Sequence, residues 1–260
     1  MQPFGEIRIV RPRAHLEIWG PNAPRCDPAT APLPVAEVLG QLEDLHRRGV
    51  RVVLLTINAL GGHTDAGAVL YDALRAFCEA GGAVLAHVAG YAASVWSWVV
   101  LADYLVMDPG AHVLVHGEVQ AATGRGQFTS PAAAERYRLT LALLESRTLT
   151  PRAELEEWLA LRPNDDGQPF FAKLTAQDAL ALGWADFAGS AAAARAIAAR
   201  LATGAQVPSG RRLALADRGE RPEWRQAMQT LRARAAVLRA AMVGQYVPWT
   251  STERRNECRS

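Results

Sequence analysis

Cysteine is scarce in this sequence. The three present, Cys26, Cys78 and Cys258, are far apart and form no CxxC pair, so neither a disulfide framework nor a zinc cluster is expected. An excess of one charge is lacking too. The 28 basic and 26 acidic residues leave a formal +2 over 260 residues, which gives no reason to expect a nucleic-acid or membrane partner. Lysine is nearly missing, with Lys173 standing among arginines, a coding bias rather than a site. The opening stretch MQPFGEIRIV has no basic segment followed by an apolar one, so no signal peptide is expected. A long unbroken apolar run is also absent. The most apolar stretch, Ala83 to Val106, is interrupted by His87, Gly90, Ser94, Ser97 and Asp103, as suits a strand and a buried helix rather than a membrane span. A soluble, cytoplasmic protein without metal or cofactor is the expectation.

What the chain does hold is an α/β pattern. At 50% hydrophobic and 21% charged it can bury a sizeable core. A strand at 14–20 leads into a proline-rich segment, 21–34, that cannot be regular. Val35, Val38, Leu39, Leu42 and Leu45 then recur at helical spacing over 35–48. VRVVLLTI, 50–57, is the β-branched run of a strand buried on both faces. The turn NALGGHTD follows it, then a helix from Asp65 to Ala80 and a second buried strand at 83–88, after which Gly90 turns the chain into a helix containing Ser94. Short strands are expected at 104–107 and 112–116, helices at 131–149 and 151–161, and a capped helix at 175–183 before a strand WADF. Strands alternating with helices imply a mainly parallel sheet. The character changes near residue 190. Residues 1–190 read as the core domain, and 191–260 as a helical, basic extension with a linker at 203–212 and a disordered tail.

Three pieces can converge at the carboxyl ends of the strands, where open α/β sheets place their sites. The paired glycines of NALGGHTDAG let backbone amides face a ligand. Ser94, about one turn into its helix, would lie near unpaired amides and the positive end of the helix dipole. His116, ending the strand HVLVH, is a base with a pKa near neutrality. A serine within reach of such a base is the minimum for nucleophilic catalysis.

The succession INALGGHTDAGAVLYDAL, HVAGYAASVWSW, HVLVHGE and LTAQDALALGWAD resembles the proteolytic subunit of Clp protease, especially its divergent phage- and plasmid-type relatives. Four blocks occur in order across residues 14 to 190. The resemblance implies the fold of the Clp-protease and crotonase superfamily, a spiral of repeated ββα units with a projecting helix. It also implies a serine endopeptidase. GYAAS matches Ser94 to the nucleophile, and His116 falls on the general base. Gly62 and Val95 match the two oxyanion-hole amides. The third catalytic residue stays open: the ungapped match is Phe171, but RPNDDGQPFFAKLTA holds a short insertion, which points to Asp165 ahead of Asp166. NALGG lacks the family's proline, and bulky Val95 and Trp96 follow the serine where the family has small residues.

The same resemblance implies a homo-oligomeric ring, peptide or unfolded-protein substrates, and an ATP-driven AAA+ unfoldase as a possible partner. The helix 131–149 carries one stripe of Tyr137, Leu141, Leu144 and Thr148, with Leu139 and Leu143 alongside. Exposed on a projecting helix, that surface would call for a partner. His63, His87 and His112 have no evident partner in the sequence, Tyr91, Trp96 and Trp98 suit core or subunit contacts, and the basic stripe of 221–239 suits a solvated helix face. Two other functions fit the blocks less fully: a catalytically inactive structural subunit, and a crotonase-type acyl-CoA enzyme, which needs no serine–histidine pair.

Overall fold

The computed structural model describes residues 4–10, 15–17, 33–117, 122–123, 127–128, 131–159, 172–218 and 222–243. Strand β1 (Gly5–Val10) is not among the elements expected from the sequence. Its Ile7 and Ile9 are buried and alternate with the less buried Glu6 and Arg8, the period of two that a strand requires. β2 (His15–Glu17) falls inside the strand expected at 14–20. β3 (Leu33–Pro34) pairs with it, so the proline-rich segment ends in regular structure. Helix α1 (Val35–Arg47) buries Val35, Val38, Leu42 and Leu45, as their spacing requires.

β4 (Val52–Ala59), β5 (Gly61–Gly62) and α2 (Thr64–Glu79) follow. β6 (Ala83–Ala93) runs five residues past its expected end. The one-turn helix α3 (Trp96–Val99) precedes strands β7 (Tyr104–Met107) and β8 (His112–Val115). A small antiparallel pair, β9 (Ala122–Thr123) with β10 (Gln127–Phe128), leads to α4 (Pro131–Arg147) and α5 (Arg152–Leu159).

β11 (Ala172–Thr175), another strand not expected from the sequence, runs into α6 (Ala176–Ala181). Thr175 caps that helix: its side chain accepts from the Asp178 amide, and the Asp178 carboxylate accepts from the Thr175 amide at 2.9 Å. The strand expected at WADF lies later, as β12 (Phe187–Ala188). Helices α7 (Ala191–Ala202), α8 (Gly210–Arg218) and α9 (Pro222–Val243) complete the described chain. α8 begins inside the segment expected to be a linker.

The main sheet is mixed and mostly parallel. Its order is β1-β4-β6-β7-β12, all parallel, with β8 parallel to β6 and β11 antiparallel to β8. β6 serves two neighbours on one side: Leu85–Val88 pair with β7, and Tyr91–Ala93 pair with β8. Along β4 the side chains alternate between two cores. Val53, Leu55 and Ile57 join the larger one with α1 to α5, whereas Val52 and Leu54 pack with Ala194 and Ala198 of α7 on the other face. The result is a sheet covered on both sides, as a parallel sheet must be.

The segment after residue 190 is tied into this body. Arg211, 3% exposed, forms a buried ion pair with Asp186 and donates to the Trp184 carbonyl at 3.1 Å. Met228, Leu231 and Ala235 of α9 enter the larger core, where α9 packs on α2 and α4. The stripe of 131–149 is therefore largely covered: Leu139, Leu141, Leu143, Leu144 and Thr148 are buried within one chain, and Tyr137 is partly buried against the same core. That corrects the expectation of an exposed stripe, and the stripe supplies no argument for a ring. Among the described residues no helix is long and apolar enough to cross a membrane.

Candidate active site

Ser94 sits in the turn between β6 and α3. It does not lie one turn inside a helix, as the sequence suggests; it precedes α3, and that helix has four residues. So short a helix contributes little dipole, which leaves backbone amides as the local source of positive potential. Ser94 has φ 58°, and among the described residues it is the only non-glycine with a positive φ. A β-carbon disfavours that region. Such a conformation costs on the order of 1–3 kcal/mol and persists only where its surroundings enforce it. Here they do. The Ser94 amide donates to the Leu114 carbonyl at 2.9 Å, its carbonyl accepts from the Ser97 amide at 2.9 Å, and Ala92, Ala93, Val95 and Trp96 are buried around it.

Two further strands meet this turn. The glycine pair follows β4, and Gly61 has φ 134°. A Cβ on Gly61 would lie 2.9 Å from Ser94 Cβ and 3.4 Å from its Oγ, so only glycine lets the two backbones approach this closely. Gly62 comes next and pairs with Leu16 of β2. Asn58, expected in the turn, belongs to β4 and sits at a change of register. Between Ile57 and Ala59 of β4, the partner positions on β6 advance from Val88 to Ala92. Asn58 Oδ1 accepts from the Tyr91 amide at 3.0 Å across the irregularity, and a Cβ on Gly90 would lie 2.5 Å from that same Oδ1. Its signal in the sequence is an asparagine three residues ahead of two glycines.

His116 lies one residue beyond β8, whose Leu114 is the register partner of Ala93. Ser94 and His116 thus leave adjacent parallel strands at the same end. The His116 ring Nδ1 is 2.5 Å from the Gly117 carbonyl. A carbonyl can only accept, so Nδ1 carries the proton and Nε2 the lone pair. Burial pushes the imidazole below its usual pKa, against a smaller upward pull from the Gly117 carbonyl. The ring is therefore neutral at pH 7, the form a general base needs.

The remaining expected residues divide. Val95, directly after Ser94, is 3% exposed, with its side chain packed toward Gly67 of α2. Asp165, Asp166 and Phe171 lie outside the described residues. His63, His87 and His112 do have partners. His63 caps α2 by accepting from the Asp65 amide at 3.3 Å, His87 lies 3.2 Å from Asp108, and His112 stacks on Tyr91 with ring centres 5.7 Å apart. Trp96 and Trp98 are core residues, whereas Tyr91 is exposed. Among the described residues no cluster of histidine, cysteine or carboxylate side chains could hold a metal ion.

The arrangement places a strained serine, a neutral imidazole and a glycine-lined backbone at the carboxyl ends of neighbouring parallel strands. Such a site can carry nucleophilic acyl transfer. No family model matches the chain, and no curated protein matches it either.

Proposed function

We propose that this chain is a serine endopeptidase of the Clp proteolytic type, with Ser94 as nucleophile and His116 as general base. The observation that carries the reading is the conformation of Ser94, the one non-glycine residue described at positive φ, set at a strand-to-helix turn against Gly61. Strain of this kind gathers where a side chain must be presented for chemistry. In the proposed reaction Ser94 Oγ attacks the substrate carbonyl while its proton passes to His116 Nε2. The amides of Gly62 and Val95 hold the oxyanion. The imidazolium then protonates the leaving amine, and water, deprotonated by the same nitrogen, releases the acyl group.

The carboxylate of the triad is the open part. Asp165 is the residue that the resemblance favours, with Asp166 beside it. The Nδ1 proton is already accepted by the Gly117 carbonyl, which can orient the ring without a carboxylate. Asp165→Asn and Asp166→Asn decide between these. Losses below about tenfold in both support the carbonyl as orienting group, whereas a loss on the order of 10⁴ in one makes that residue the third member.

The superfamily spiral, a ring with inward-facing sites and an unfoldase partner rest on the resemblance alone. The proline missing from NALGG and the open third member favour, as a second reading, an inactive structural subunit. Hydrolysis of a fluorogenic peptide separates the two. The endopeptidase loses on the order of 10⁶ in turnover on Ser94→Ala or His116→Ala, while an inactive subunit shows no turnover for either variant to remove.

A further inference from the structure

Helix α2 supports both proposed oxyanion amides. Gly62 runs into its N-terminus through His63. Gly67, in its first turns, meets Val95 so closely that a Cβ there would lie 1.9 Å from Val95 Cγ2. A shift of this end of α2 therefore moves both amides relative to Ser94.

The C-terminal helix α9 grips the outer side of α2. Asp65, Asp72 and Glu79 of α2 fall seven residues apart, which aligns them along one stripe. Arg232 of α9 pairs with Asp72 at 3.7 Å and with Glu79. Arg234 forms an ion pair with Asp65, the second residue of α2. Asp65 Oδ1 is buried, and the guanidinium of Arg234 is the cation that faces it. At 21% and 18% side-chain exposure, this pair is less screened by water and salt than a surface pair.

We infer that Arg234 is a positioning residue for the oxyanion hole: through Asp65 it pins the first turn of α2, and with it the amides of Gly62 and Val95. The inference rests on the reading of Ser94 as the nucleophile. It makes the C-terminal helix part of the active-site scaffold, a role that the basic character of residues 221–239 does not disclose.

The test uses the full chain with Arg234→Gln and Asp65→Asn, and Arg232→Gln as the control at the far end of the stripe. Two quantities are read: hydrogen exchange of the amides from 61 to 67, and the rate at which a fluorophosphonate labels Ser94. Arg234→Gln and Asp65→Asn should speed exchange at 61–67 about tenfold while the amides of β4 keep the parental rate. Labelling should slow by roughly tenfold to a hundredfold, the effect of a small misplacement at a reacting centre. Arg232→Gln should change neither quantity, and the reversed pair Asp65→Arg with Arg234→Asp should restore both. Parental exchange at 61–67 in both variants, or equal acceleration throughout the chain, overturns the inference. A parent that the probe does not label overturns the hydrolase reading instead, a result that the exchange measurement keeps distinct.

Discussion

Gly61 lies against Ser94 so tightly that a single methyl group on the glycine would come within 2.9 Å of the serine Cβ. The glycine has φ 134° and the serine φ 58°. Two unusual backbone conformations therefore face each other across the ends of neighbouring parallel strands. Ile57, Val88 and Ala92 beside them are buried in the larger core.

Gly61→Ala tests that contact. The new methyl group meets Ser94 and the backbone must leave its preferred region, at a cost on the order of 1–3 kcal/mol. Urea unfolding should show that loss, and fluorophosphonate labelling should slow by about a hundredfold. Unchanged labelling would show that the close approach has no part in reactivity.

Ser94→Gly and Ser94→Ala remove the same hydroxyl but differ in backbone freedom. At φ 58°, glycine relieves a strain that alanine keeps, so Ser94→Gly should be the more stable of the two by about 1 kcal/mol. Denaturant midpoints measured side by side decide it. Equal midpoints would mean that the left-handed turn is not held in solution.

The pH dependence follows from His116. Burial lowers its pKa below the usual value of about 6.5, and the proposed reaction needs the neutral ring. The acid limb of kcat/KM should therefore fall below pH 6.5, with activity level through neutrality. The same sign governs stability: this histidine's contribution is full above about pH 6.5 and is lost as pH falls through the lowered folded value. A limb at or above 6.5 contradicts the buried, neutral ring.

Leu144 is fully buried and Leu141 is 3% exposed, both inside the larger core. Replacing either with glutamate should lower the melting temperature by roughly 10 °C or more, because an unpaired charge enters that core. Folded variants that only change mass in light scattering would return this helix to an interface between subunits.

Parts of this fold were plain in the sequence and parts were not. α1 could be read because Val35, Val38, Leu42 and Leu45 repeat at the period of the surface they bury. β4 could be read because both of its faces are apolar. β6 was expected to stop at 88, since Gly90 looks like a turn. What keeps it extended is the Asn58 side chain, which fills the space beside Gly90 and takes the Tyr91 amide, a contact 33 residues distant in the chain. The start of α8 read as a linker for a similar reason: its hold on the body is Arg211 reaching back to Asp186. On α4 the apolar spacing is legible but not what covers it, which is α5 and α9 of the same chain. Ser94, Gly61-Gly62 and His116 stand out as candidates by residue type and order. The serine's φ could not, because AASVW contains no residue that announces it.

The central claim is that Ser94 is an activated nucleophile, and the direct measurement is the site of covalent labelling. The parent, Ser94→Ala and His116→Ala are each treated with a fluorophosphonate, and the adduct is mapped by peptide mass. The account predicts one adduct in the parent, on Ser94, and none in either folded variant. An adduct that persists elsewhere in folded Ser94→Ala, or a parent that takes none, would contradict it.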